Sequence, residues 1–399
     1  LFTVDNNSDG GDKARLVHVI EGMDAGWRQA YQWINEPNLR GAWNDEGLWK
    51  PHFDGQAAYI VPPLANICDG PSGFTYNPGT ALTPEWRNRF FICDFRGDAS
   101  SSGIHWFTLK PKGATFELDR FEHFVWGTLV TDCDFGPDGA MYWSDWVEGW
   151  NKTGKGRIYR LADSVARDAH QAVVGPTLRS DWLSMSEAKL LDALGNDDQR
   201  VRFAAQFELV RRDEKPTLAK LGTRQALARI AGDRAAPKFA RLHAVWGLEQ
   251  LGDRSVENWV EDPDADIRAA VLHAFGTIHR HGSWDPGTAS NFAPVAAALD
   301  DPSPKVQREA AMALSQGIDM LDRESVGMHE RIYGMLDRIG ESDSALRHAL
   351  IRVLVKLGPR GVAQHYATTA DERDVAYSFA LANAAHHSSV FARLGAVVA

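Results

Sequence analysis

The run Asp5-Asn6-Asn7-Ser8-Asp9-Gly10-Gly11-Asp12 sets side-chain oxygens at positions 1, 3 and 5 and glycine at position 6. That is the opening of a calcium loop, in which hard oxygen ligands surround the ion and glycine makes the sharp turn. Asp5, Asn7, Asp9 and Asp12 are the candidate metal ligands. Position 12 of such a loop is Leu16 rather than Glu, so only the first half matches. A polar turn with Asx hydrogen bonds is the alternative. A second group joins Asp94-Phe95-Arg96-Gly97 to Thr131-Asp132-Cys133-Asp134. Arg96 has the planar fork that holds a ligand carboxylate by two hydrogen bonds. Asp132 and Asp134 are expected on opposite sides of their strand. Salt bridges between sheets and turn caps are the alternative reading of both segments. Cys68, Cys93 and Cys133 are spaced without a metal-binding pattern, and apolar surroundings predict that Cys93 and Cys133 are buried, inert thiols. HExxH, GxGxxG, the Walker loop, GxSxG, CxxC and CxxCH are all missing from the sequence. His386-His387 is expected on a helix surface.

These residues need elements to hold them, and the two halves of the chain differ. Residues 1–160 hold 19 of 35 Gly and 10 of 14 Trp, whereas residues 161–399 hold 41 Ala against 11 before them. Glycine and aromatics suit short strands joined by tight turns, and dense alanine suits packed helices. Strands are predicted at Leu1–Val4, Arg15–Ile20, Ala57–Val61, Gly73–Tyr76, Arg89–Asp94, Gly103–Leu109, Thr115–Phe124, Ala140–Ser144 and Gly156–Leu161. No helical pattern separates them, so they should be antiparallel. Three of them end alike: Phe2-Thr3-Val4-Asp5, Phe91-Ile92-Cys93-Asp94 and Tyr142-Trp143-Ser144-Asp145. Each is followed by a strand centred on Leu16, Ile104 or Ile158. The second and third aspartates are 51 residues apart. A period near 50 with several strands per unit is that of a β-propeller blade, with a β-sandwich as the alternative. Residues 22–56 would be an insertion. Two to three blades do not close a ring, so the natural protein is expected to be longer at its N-terminus.

The second half repeats a helical segment around Val201, Ala240, Ile267, Val306, Leu346 and, more weakly, Val375. Acidic turns such as Asn196-Asp197-Asp198, Glu261-Asp262-Pro263-Asp264 and Asp300-Asp301-Pro302-Ser303 precede several of them. An acid at a helix N-terminus caps free N–H groups and complements the dipole. Helix pairs at a 27–40 residue period with such a turn resemble HEAT repeats, which stack into an α-solenoid. An unrelated helical bundle is the alternative. The expected fold is therefore multidomain β + α: a partial antiparallel β-propeller over 1–162, a linker over 163–183, and a HEAT-like α-solenoid over 184–399.

Charge narrows the partners. The formal net charge is −10, which disfavours a nucleic-acid-binding face. No run of 18 apolar residues is present to span a bilayer. The chain opens on Leu1 without a signal-peptide pattern, as a fragment would.

Several motifs resemble one family. Gly10-Gly11-Asp12 with Gly26-Trp27 is similar to the GGDE…NYGWP stretch of soluble quinoprotein sugar dehydrogenases and sorbosone-dehydrogenase-like propellers. Gly136-Pro137-Asp138-Gly139-Ala140-Met141-Tyr142 with Gly156-Arg157-Ile158-Tyr159-Arg160 resembles their last blade. With Phe91–Gly97, Ser144-Asp145-Trp146 and the trailing HEAT-like repeats, the chain looks closest to the large bacterial membrane-bound dehydrogenases, in which a six-bladed propeller precedes HEAT repeats and a c-type cytochrome domain. The resemblance implies a PQQ-type oxidoreductase acting on sugars or alcohols in the periplasm or outside the cell. It implies calcium polarising the quinone and electrons leaving through a haem c carried by a missing C-terminal part. The catalytic His would lie in further N-terminal blades. Lys13 stands where the relatives have Glu, and Ala25 where they have Tyr. Gly127–Thr131 lacks the arginines that help hold the quinone. Arg96, after a blade strand, is the one inherited cofactor contact expected here. The alternative is a non-catalytic scaffold whose solenoid binds a protein partner.

Overall fold

The computed structural model describes residues 1–6, 13–26, 59–164, 174–214, 222–281, 292–317 and 325–357. The chain is mixed β and α, with antiparallel sheets first and helices after. It divides into two compact units. One is Leu1–Lys112 with Phe116–Met185 and Asn196–Ala204; the other is Gly113–Thr115 with Ser186–Gly195 and Ala205–Ala399.

The first unit holds three sheets. β1 (Phe2–Asp5), β2 (Arg15–His18) and β3 (Ala65–Asn66) form one in that order. β4 (Pro71–Tyr76), β5 (Phe90–Asp94), β6 (Gly103–Lys112) and β7 (Thr115–Trp126) form a four-stranded meander. β8 (Val130–Phe135), β9 (Met141–Asp145) and β10 (Arg157–Leu161) form the third. The sheets do not close into a barrel or ring among the described residues. Their pleat explains their packing, because alternate side chains on a strand face opposite ways. On β5, Phe91 and Cys93 enter a core with Val130, Cys133, Phe135, Met141 and Trp143 of the third sheet. Ile92 enters another core with Leu16 of the first sheet and with Cys68 and Phe107. Full burial of each large apolar side chain contributes about 1.5–3 kcal/mol.

Three strand expectations change, the first being that β3 lies outside every predicted strand. Residues 59–61 of the predicted Ala57–Val61 strand are not in a strand, and 57–58 lie outside the described residues. No range was predicted for the strand that holds Asp132 and Asp134, because three polar residues in Val130-Thr131-Asp132-Cys133-Asp134-Phe135 conceal the alternation of β8. Val130, Cys133 and Phe135 are buried while Asp132 and Asp134 are exposed. Asp132 and Asp134 thus share one face rather than two, as residues two apart on a strand must.

The second unit is helical. Its elements are α1 (Glu187–Ala193), α2 (Gln199–Asp213), α3 (Thr223–Gly232), α4 (Lys238–Gln250) and α5 (Ala265–His281), followed by α6 (Ala293–Ala297), α7 (Pro304–Gly317), α8 (Ser325–Ile339) and α9 (Ser344–Leu357). α2 begins within the first unit. Helices α4, α5, α7 and α9 pack in succession, each on the next, while α3 packs on α4 and α8 on α9. Four of the repeated sequence segments lie in that row and a fifth lies in α2; the sixth, around Val375, lies outside the described residues, as does His386-His387. The acidic turns cap as expected. Asp262 accepts from the Asp264 N–H at 2.9 Å, Asp264 from the Asp266 N–H at 2.8 Å, and Asp301 from the Ser303 N–H at 2.8 Å. Arginines then tie α4 and α5 to the turn that follows each of them. Arg241 of α4 pairs with Asp262 at 2.5 Å, both nearly buried, and Arg268 of α5 pairs with Asp301 at 2.7 Å.

Candidate functional site

The aspartate that ends each repeated strand forms the frame of the site. Asp5 pairs in register with Arg15, Asp94 with Gly103, and Asp145 with Arg157, so each of these strands pairs with the strand that follows it, β5 and β9 as inner strands and β1 at an edge. Two of the aspartates make the same latch. The Gly70 N–H, just before β4, donates to Asp94 Oδ1 at 2.9 Å, and the Phe95 N–H donates back to the Gly70 carbonyl at 2.6 Å. The Leu129 N–H, just before β8, donates to Asp145 Oδ1 at 3.2 Å, and the Trp146 N–H returns to the Leu129 carbonyl at 2.9 Å. A carboxylate at this position therefore fixes where the preceding strand enters its sheet.

Around Asp94 the latch carries extra charge. Arg96 donates Nε and NH2 to Asp94 Oδ2 at 2.9 and 2.6 Å, and its NH1 lies 2.8 Å from Asp69 Oδ2. Lys13 Nζ also bonds the Asp69 carboxylate. His105 Nε2 lies 3.3 Å from Asp94 Oδ2, with the imidazole packed among Phe121, His123 and Trp126. Burial alone would push the Asp94 carboxyl up. Hydrogen bonds from His105, Arg96 and Gly70 outweigh it and hold the group well below the usual carboxylate range. Hydrogen bonding to Asp94 raises Arg96 in turn.

A cavity of about 440 Å³ opens beside this network, lined by Asn6, Asp69, Ser72, Phe95, Arg96 and Trp150, with Gly70, Pro71 and Gly97 supplying backbone. Gly97 has φ +79°, and a Cβ there would come within 2.9 Å of the Trp150 indole nitrogen. Its lack of a side chain lets Trp150 lie over the turn, 65% exposed and edge-on to both Phe95 and Trp146. The wall thus presents an aromatic face, a hydroxyl, an amide and two ion-paired charges, one of each sign. Such a wall suits a polar, uncharged ligand. Asp94, behind this wall, is held so low that it is a weak base at neutral pH.

Of the predicted site residues, Arg96 and Asp5 lie among the described residues. Arg96 does line a cavity, but its guanidinium is held by Asp94 and Asp69. A tricarboxylate quinone would set its own charge against those two groups, and the residues present at this cavity do not fit that cofactor. Asp5 ends β1 half-buried, with burial raising its carboxyl and Arg15 opposing the rise. Asn7, Asp9 and Asp12 lie outside the described residues. Among the described residues no group of three or more His, Cys, Asp or Glu side chains is arranged to hold a metal ion. All three cysteines are free and buried. Burial, with Asp94 nearby, pushes the Cys68 thiol up to about 12. Asp69, Lys13, His105 and Trp150 were not singled out as site residues. Asp69-Gly70 has no counterpart at Thr128-Leu129, so the repeat does not flag it.

No family model matches the chain, and no curated protein matches it. Eleven chains of solved structures do. One is an engineered protein, a crystal structure from the Northeast Structural Genomics Consortium. It is 17% identical, with 50% of this chain and 97% of that chain covered, at a TM-score of 0.28. A likeness that weak carries no argument. The fold defines the class of protein: antiparallel sheets joined to a helical array, with no helix among the described residues long and apolar enough to cross a membrane.

Proposed function

We propose that the chain is the sheet and scaffold part of an extracytoplasmic quinoprotein-type dehydrogenase that oxidises sugars or alcohols. In this reading the three sheets are propeller blades and the helical row is a HEAT solenoid that binds a protein partner. The observation that carries it is the latch. Asp94 and Asp145 make the same reciprocal pair of hydrogen bonds on strands 51 residues apart, as successive copies of one blade would. The cavity beside Trp150 is then a place for a neutral sugar ring, and the redox centre with its catalytic His lies outside the described residues. A calcium ion at Asp5, Asn7, Asp9 and Asp12 belongs to the same reading. Millimolar calcium should raise the melting temperature, and no change would remove the ion from the proposal.

A second reading is favoured by Arg96. A cofactor-binding arginine is kept free to meet its ligand, whereas this one is spent on two carboxylates. That is what a propeller turned interaction scaffold would show. One experiment separates the readings. The full-length protein is given PQQ and calcium, then assayed for dye reduction with a panel of sugars and alcohols. Reduction that needs both additions supports the dehydrogenase; failure to bind the quinone at all leaves the scaffold.

A further inference from the structure

Two arginines share one indole at the far end of the second sheet. Phe91 of β5 pairs in register with Trp106 of β6, and both belong to the core shared with the third sheet. Arg89, half-buried just before β5, reaches the same ring. Its guanidinium carbon lies 3.9 Å from the centre of Trp106 and 4.4 Å from that of Trp86. The two indoles stand at 88° to each other, so the arginine sits in the corner between them. From β7, Arg120 comes to 4.7 Å from the centre of the Trp106 ring. The two cations differ in their partners. Arg120 donates Nε and NH2 to Glu122 Oε1 at 3.2 and 2.6 Å. Among the described residues no side chain or carbonyl accepts from the Arg89 guanidinium. Glu122 and Glu85 act on it only through space, and Glu85 is bonded to Thr83 instead. Burial, and after it the Arg120 charge, pulls Arg89 below its ordinary value. A cation–π contact uses the face of a guanidinium and leaves its edge, where the five N–H donors lie, to other acceptors.

We propose that Arg89 and Arg120, held over Trp106, bind a tetrahedral oxyanion, a phosphate or sulfate group that is free or esterified. A partly buried cation beside a second cation favours an anion between them. The shape of the anion follows from the two forks. A carboxylate has two oxygens in one plane, and one guanidinium satisfies both. A tetrahedral group has oxygens out of that plane. One pair meets the edge of Arg89 while another oxygen reaches Arg120 NH1, which Glu122 does not use. The corner formed by Trp86 and Trp106 holds Arg89 in place beforehand, so little side-chain freedom is lost on binding. Arg89 precedes β5 and Asp94 ends it, so this site and the cavity lie at opposite ends of that strand. The inference stands whichever function the protein has.

The test is a calorimetric titration of the protein with inorganic phosphate at constant ionic strength, balanced with chloride. One saturable site is expected, from which sulfate displaces phosphate, with acetate roughly tenfold weaker. Arg89→Lys keeps the charge but loses the fork and should weaken phosphate roughly tenfold or more. Arg120→Ala should weaken it roughly fivefold. Arg157→Ala removes an exposed arginine from β10 and should leave the affinity unchanged. Glycerol phosphate that binds as tightly as inorganic phosphate would support an esterified ligand, and weaker binding would support the free ion. Heat without saturation, acetate as tight as phosphate, sulfate that fails to compete, or an affinity unchanged in Arg89→Lys would overturn the proposal. Arg120 is 54% exposed, so Arg120→Ala decides the matter if Arg89→Lys fails to fold: an unchanged affinity there also overturns it.

Discussion

At the scale of single residues, the strand-ending aspartates are the most informative side chains of the first unit. Asp94 is fully buried and answers two backbone N–H groups, Arg96 and His105. Asp145 answers one N–H at 3.2 Å and a more distant Arg157. Removing a buried charge partner costs more than removing one neutral hydrogen bond. Asp94→Ala should therefore destabilise by about 3 kcal/mol and Asp145→Ala by about 1–2 kcal/mol in urea unfolding followed by tryptophan emission. Equal losses would mean that the Arg96 and His105 contacts add nothing. Because the Asp94 carboxyl is held low, its contribution is complete above the unfolded value near 4 and is lost as pH falls through the folded one. In the second unit the sign reverses. His273 bridges Glu309 at 3.3 Å and Glu249 at 3.6 Å, with Arg308 beside Glu309. The Glu309 hydrogen bond raises His273, whereas hydrogen bonds from His273 and Arg308 overcome burial and hold Glu309 at about 2. The imidazole's contribution is complete below about pH 6.5 and is lost as pH rises through its raised value. The ring is 57% exposed, so screening keeps this under about 1 kcal/mol. His273→Gln should flatten the fall in helix stability above pH 6.5, read by circular dichroism; an unchanged slope would assign that fall to other groups.

At the scale of elements, the helical row is held by apolar packing and by arginines that reach the next turn. Arg241 carries most of this, being 6% exposed and bonded to both Asp262 and the Ala231 carbonyl. Arg268 does the same for Asp301 while also donating to the carbonyls of Asp262 and Pro263. Arg241→Ala or Asp262→Ala alone leaves a buried charge unpaired and should cost about 3–5 kcal/mol. The double variant should cost clearly less than the sum, because neither charge is then stranded. Additive losses in chemical unfolding would show that the pair acts as two independent groups. The sequence announced these turns by their repeated acids, since a cap is a local device read within a few residues. It did not announce which arginine meets which acid, because Arg241 and Asp262 are brought together by helix packing.

At the scale of the whole molecule, the two units carry different reporters. Ten of the 14 tryptophans precede residue 161, whereas most helix follows it. Asp94→Ala should lower the midpoint seen by tryptophan emission more than that seen by helical circular dichroism, and Arg241→Ala should do the reverse. Equal shifts in both signals from either variant would show a single cooperative block.

Much of this was legible from the sequence alone. The change from glycine and tryptophan to alanine divided strands from helices, because backbone freedom and helix propensity are properties of single residues. The recurrence of Asp5, Asp94 and Asp145 marked three strand ends, and two of them, Asp94 and Asp145, make the same latch. The tertiary structure alone decided what those residues touch. Arg96 was legible as a fork for a carboxylate, but that it holds Asp69 as well as its neighbour Asp94 depends on a turn 27 residues away. Cys93 and Cys133 were legible as buried thiols, but that both enter the core between the second and third sheets depends on how those sheets pack. Contacts of this kind follow from packing between distant segments, and no local pattern encodes them.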